Sequence, residues 1–125
     1  MSLFFKIIIL SLFTVLNAQE QLGSDIDGEV AHDASGYRIS MSSNGDRVGI
    51  AAYNYDGGGS NSGHVRVYEY SGGCWSQLGS DIDGNNAGDA IGSSVPLDSD
   101  GDRLAIGSEY TDCGAIAFKK LRNKK

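Results

Sequence analysis

The chain is short of positive charge, of histidine and of long apolar runs, and each shortage removes a class of function. Ten Lys and Arg stand against sixteen Asp and Glu, and five of the ten crowd into the last seven positions, KKLRNKK. The body therefore lacks the clustered basic face that a phosphate backbone requires, so no nucleic acid is expected as a partner. The short basic end, 122–125 included, reads as a solvated tail. Histidine occurs twice, as His32 and His64, with no nucleophile at a spacing that suggests a dyad, and both are expected at exposed or edge positions. No catalytic residue is nominated, and the chain is read as a non-enzyme.

The one apolar run, Ile7 to Leu16, is ten residues long, well under the roughly 20 that a spanning helix needs. Preceded by Lys6 and followed by Asn17-Ala18, it reads as a signal peptide over residues 1–18. The mature chain is then expected to be secreted or held at the cell surface, touching a membrane only through an uncleaved signal segment. It would keep nine Lys and Arg against sixteen Asp and Glu, a net charge of −7.

No helical spacing appears after residue 18. What is there is a repeat. The octapeptide QLGSDIDG fills Gln21 to Gly28 and returns unchanged at Gln77 to Gly84, and the offset of 56 aligns Gln21–Asp56 with Gln77–Asp112 without a gap. About half of those positions are identical, among them Asp33 with Asp89 and Gly45-Asp46-Arg47 with Gly101-Asp102-Arg103. A fixed period of this size marks an array in which each repeat is one supersecondary unit.

Within a repeat the apolar residues alternate: Tyr37, Ile39 and Met41, then Val48 and Ile50, then Val65 and Val67 with Tyr68 and Tyr70 on the other face. Asn44-Gly45, the loop GGGSNSG (Gly57 to Gly63) and Gly72-Gly73 punctuate them as turns, and the glycine-rich loop, lying between strands and not before a helix, is read as flexible chain and not as a phosphate cradle. The unit is four strands, YRISMSS, DRVGIAAYN, HVRVYEYS and CWSQLGSDI. The expected fold class is all-β, with about two four-stranded antiparallel blades of propeller type after the signal peptide. A sandwich would accept such strands but gives no reason for the 56-residue repeat.

These stretches, SGYRISMSSNGDRVGIAAYN and SGHVRVYEYSGGCWSQLGSDIDG, resemble the FG-GAP-type repeats of integrin α-like propellers and of secreted bacterial repeat proteins. The family's Phe-Gly position falls on Ser35-Gly36 and Ile91-Gly92, and its Gly-Ala-Pro position on Ala51-Ala52-Tyr53 and Gly107-Ser108-Glu109, so both signatures are degraded. The resemblance implies a β-repeat region over 19–121: an outer strand at 19–28, blade one at 36–84 and an incomplete blade two at 92–121. Two blades cannot close a ring that needs about four. Either copies assemble, or the chain is a truncated piece of a longer array, which the abrupt KKLRNKK favours.

The resemblance also implies calcium in the hairpin between the first two strands. Asp98, Asp100 and Asp102 match the first three ligand places, but Arg103 stands where a Gly belongs and Ile106 where the closing Asp belongs. Ser42, Asn44 and Asp46 match less well. The alternative is a two-residue hairpin turn at Asn44-Gly45 and Asp100-Gly101, where positive φ is accepted. A weak calcium site stays open beside it. The second acidic set, Asp25, Asp27 and Asp33 with Asp81, Asp83 and Asp89, fails the EF-hand spacing and reads as turn and packing residues.

Cys74 and Cys113 fall in turns at opposite ends of five-residue strands, about 15 Å apart, and are not expected to pair. The expected function is that of an exported binding or adhesion module, its partners other copies or neighbouring blades and an extracellular protein or glycan. The alternatives are a fragment of a propeller hydrolase and a gene remnant without independent function.

Overall fold

The computed structural model describes residues 19–108 and 116–121. The expected signal peptide, Cys113 and the tail at 122–125 lie outside the described residues. The described chain is all-β, in two antiparallel sheets of five and three strands.

The first sheet runs β1 (Ser35–Met41), β2 (Arg47–Ala52), β3 (His64–Ser71) and β4 (Cys74–Gln77) in sequential order, with β5 (Ile82–Asp83) also on β3. The fourth strand expected from Cys74 to Ile82 is thus split in two. Leu78 N–H still reaches Val67 O at 2.7 Å, but Gly79 takes a φ of +84° and the chain steps off the ladder before Ile82 rejoins it opposite Val65. The second sheet is β6 (Ile91–Ser94), β7 (Arg103–Ser108) and β8 (Ile116–Lys120). In both sheets the first strand carries an irregularity at the same repeat position, at Gly36 and at Gly92, between Ser35 and Arg38 and between Ile91 and Ser94. β6 ends at Ser94 just before Pro96, which has no N–H to give a ladder, although Pro96 O still accepts from Ala105 N at 3.1 Å.

No strand is formed at 19–28 among the described residues, contrary to expectation. Its repeat counterpart, 75–84, has β3 to pair with, whereas no strand among the described residues pairs with 19–28. Instead Leu22 O accepts a 2.8 Å hydrogen bond from Trp75 Nε1, and the segment leans on the Tyr70–Trp75 ring pair.

The core lies between the sheets. Ala51, Val65 and Val67 on the inner face of the first meet Val95, Leu104 and Ile106 of the second, with Leu78 closing the edge. Gly49 lets the sheets approach: Leu104 Cδ1 lies 3.6 Å from where a Cβ would stand. Burying the Val, Leu and Ile side chains of this set stabilises the pair by roughly 1.5–3 kcal/mol each relative to full exposure.

The GGGSNSG loop, expected to be flexible, is a clamp. Gly63 O, Ser62 O, Asn61 O and Ser60 O accept from Gly84, Ile91, Ala90 and Gly88 N–H at 2.8–3.0 Å, so the loop pairs with the segment joining the two sheets. Ser62 is fully buried beneath it.

Candidate functional site

The Asp98 loop comes first, because it carried the expected ligands. Asp98 N–H reaches Arg103 O and Gly101 N–H reaches Asp98 O, both at 3.0 Å, so Ser99 to Asp102 form a four-residue connection. The equivalent bonds, Ser42 N to Arg47 O and Gly45 N to Ser42 O, shape the first copy. Positive φ occurs at Gly45 and Gly101 but not at Asn44 or Asp100, which corrects the two-residue hairpin reading, since that turn needs it at both. Asp98 Oδ1 is engaged by the backbone N–H groups of Asp102 (2.8 Å) and Arg103 (3.0 Å), and Asp102 Oδ1 by Arg47 Nη1 at 2.5 Å. A hard cation needs six to eight free oxygens. With one carboxylate serving two amides and another bound to a guanidinium, the loop does not fit that requirement, and its carboxylates act as turn and ion-pair groups.

A polar cluster that the sequence did not reveal lies on the outer face of the first sheet. β3 places His64 and Arg66 on one side, two residues apart. The step in the outer strand brings Asp81 beneath Arg66, which binds it through a two-pronged fork, Nε to Oδ1 at 2.8 Å and Nη2 to Oδ2 at 2.6 Å. Glu29 closes on the same Nη2. The fork holds the Asp81 carboxyl down at about 2, helped by Gln77, and the two acids raise the Arg66 guanidinium further.

His64, expected at an edge or in solvent, is buried at 4 % exposure against the Tyr55 ring, centroids 4.2 Å apart. Its Nδ1 has no hydrogen-bond partner among the described residues, and burial, with Arg66 beside it, lowers its pKa. One donor atom each from Glu29, His64 and Asp81 falls within 4.8 Å of the others, a spacing at which a metal could be held. Arg66 occupies that role instead: its charge neutralises both carboxylates and repels a second cation. The chemistry of the cluster is anchorage of β5 and the 19–30 segment to β3.

The repeated phrase has a local explanation. Gln77 Nε2 donates to Asp81 Oδ1 at 2.6 Å, and Gln21 Nε2 donates to Asp25 Oδ1 at 2.8 Å, each across a positive-φ glycine, Gly79 or Gly23. QLGSD is a self-contained turn that forms in both copies. Asp89 Oδ2 likewise accepts from Asn85 and Asn86 N–H, while Asp33, its counterpart, is buried with no partner for Oδ2 among the described residues.

The other feature of functional size is surface. A cleft of about 590 Å³ opens between the split outer strand and the second sheet, with Asp81, Asp83 and Asp89 on one wall and Lys119 and Lys120 on the other. Tyr37, Ile39 and Met41 stand 45 %, 68 % and 56 % exposed in a row along β1. No protein-family model, curated protein or solved structure matches the chain.

Proposed function

We propose that the chain is an exported, non-enzymatic binding module of β-propeller-repeat type, whose units stack sheet face on sheet face and whose assembled rim contacts an extracellular protein or glycan. One observation carries this reading. At the same repeat position, Val95 is 3 % exposed and Ile39 68 %, because the first sheet packs on Val95 while no sheet among the described residues covers Ile39. A unit that leaves so apolar a face in water is a unit made to be stacked.

The polar groups are consistent with scaffolding. The His–carboxylate grouping found among the described residues is neutralised by Arg66, and Asp98 in its loop holds backbone. The test is to recover the protein from the medium of expressing cells, establish its first residue, and pass it over immobilised glycans and extracellular matrix proteins. A chain starting at Gln19 that is retained selectively, leaving glycoside and ester substrates intact, is expected. Retention in the cell membrane or turnover of a substrate would overturn the reading.

A further inference from the structure

The 56-residue offset lets each half of the molecule serve as a template for the other. Many equivalent residues in the two copies have opposite burial, although Val48 and Leu104, and Ala52 and Ser108, are buried in both. Leu78, Ala90, Gly92 and Val95 are buried while Leu22, Ala34, Gly36 and Ile39 are exposed. In the reverse sense Arg47, Gly49 and Ala51 are buried, while Arg103 is exposed and Ala105 and Gly107 are half-exposed. The first sheet therefore has its inner face covered and its outer face open along β1, at Tyr37, Ile39 and Met41, although Val48, Ala52 and His64 on that face are buried; on the second sheet the face of Arg103, Ala105 and Gly107 is the more exposed one.

We propose that a second copy of this chain covers the open face of the first sheet, head to tail, by repeating between chains the interface seen between the sheets, on the shared premise that the units stack. The occupant is specified by chemistry, not by apolarity alone. Inside the chain, Arg47 Nη1 reaches across to Asp102 Oδ1 at 2.5 Å and to Gly101 O at 3.0 Å. Moved by one repeat, that latch joins Arg103 of one copy to Asp46 and the Gly45 carbonyl of the next. Both groups are present, both are exposed, and neither makes an ion pair among the described residues.

The steric match follows the same translation. Gly92, which packs with its notional Cβ 2.6 Å from Ala51 Cβ, becomes Gly36, which has nothing within 4 Å, and it would meet Gly107, a smaller residue than Ala51. Ile39 and Met41 take the places of Val95 and Leu97, over Ala105 and Gly107 in place of Gly49 and Ala51. The edge of β8, unpaired among the described residues, receives residues 19–28, released from the Leu22–Trp75 hydrogen bond, as the missing fourth strand, by analogy with β4 and β5 on β3. Since Arg47 pairs with Glu69 and Glu69 with Ser76, while Arg103 pairs with Lys120, that register sets Glu20 opposite Lys120. Because the two joined surfaces differ, the contact is heterologous and builds a ring or a filament, not a two-fold dimer.

Sedimentation of the mature protein at low salt, from micromolar to hundred-micromolar concentration, tests this with Asp46→Arg, Arg103→Asp and Ile39→Asp. All three positions are exposed, so the single chain still folds. Each variant is expected to associate at least about tenfold more weakly. The decisive sample is an equimolar mixture of Asp46→Arg and Arg103→Asp. Each carries one sign at both positions, so the mixture restores association that neither shows alone. A wild-type chain that stays monomeric, or a mixture that stays dissociated, overturns the proposal. Arg47→Ala separates this from failure of the stacking itself: a lowered melting temperature there, with no association of the wild type, refutes only the copy-to-copy contact. An unchanged melting temperature refutes stacking.

Discussion

Leu104→Ala is the most direct probe of how the two sheets hold together. Leu104 is 1 % exposed and projects from β7 onto the first sheet, where it meets Gly49 and the Ala51–Val65–Val67 patch. Truncating a buried Leu removes its transfer free energy and leaves a cavity whose cost depends on how far the walls relax. Here relaxation is limited, because the facing wall is Gly49 and Ala51, backbone and methyl with no long side chain to swing in. The loss should therefore lie toward the upper part of the usual range, about 3–5 kcal/mol. For a chain of this size each kcal/mol moves the melting temperature by about 4–8 °C, so a fall of at least about 12 °C is expected. Circular dichroism melts, run for wild type and variant at one low concentration so that association does not add to apparent stability, measure it. A fall under about 4 °C would show that the sheets are not packed through Leu104, and would remove the basis for the stacked arrangement.

Gly49→Ala should act in the opposite direction. Its Cβ would sit 3.6–3.9 Å from Leu104, Val95 and Leu97, and the repeat already carries Ala105 at the equivalent place, so a gain of about 0.5–1 kcal/mol in denaturant titration is expected; a loss would mean the sheets are closer than described. Gly63→Ala should cost more than about 2 kcal/mol, because φ is +73° and the added Cβ would press on the Ile91 backbone at 2.5 and 2.7 Å; a wild-type melt would exclude the clamp. Stability should fall with pH in two stages. His64, with a lowered pKa and faced by Arg66, Asp81, Asp83, Glu29 and Tyr55, costs stability as pH drops below about 6.5, since the unfolded chain then binds the extra proton. Asp81, held near 2, loses its contribution from about pH 4 downward as its carboxyl is protonated. His64→Gln should abolish the first stage and leave the second, and a melting temperature flat between pH 7 and 5 in the wild type would refute the assignment. Calcium titrated calorimetrically into the mature protein should bind at millimolar concentration or weaker; a micromolar site lost in Asp100→Ala would show that the Asp98 loop rearranges around an ion.

The strands were legible because the alternation of Ile39 and Met41, of Val48 and Ile50 and of Val65 and Val67 is a local property of a pleated backbone. The turns were legible as to place and less so as to kind. Asn44-Gly45 and Asp100-Gly101 carry the signature of a two-residue turn, but the side chains of Ser42 and Asp98 accept backbone N–H groups and stabilise a longer connection. That preference depends on a residue three positions before the glycine. The split of the fourth strand was written in Gly79 and in the Gln77–Asp81 pair, and a reading of QLGSD as a turn would have found it.

His64 and Arg66 were hidden for a different reason. The partners of Arg66, Glu29 and Asp81, lie 37 and 15 positions away from it, and no periodicity links them; only the step after Leu78 brings Asp81 under β3. The GGGSNSG loop misled because glycine and serine suit flexible chain and close backbone packing equally. What separates the two is whether another backbone is waiting, and here the segment from Gly84 to Ile91 is.

Burial was the least legible quantity, and it bears most on function. Two halves with half their residues in common should have the same inside and outside if burial were a property of sequence. Arg47 and Arg103 have the same neighbours in sequence, Gly-Asp before them and an aliphatic residue after, yet one is 7 % exposed and paired across the interface while the other is in solvent. The difference lies entirely in what stands opposite. A sequence that writes the same latch twice and meets its partner once has specified a contact that the single chain leaves unmade. Arg103 and Asp46, exposed and without an ion pair among the described residues, are then better explained as the two halves of that contact than as two unrelated surface charges, because each occupies the position its twin uses.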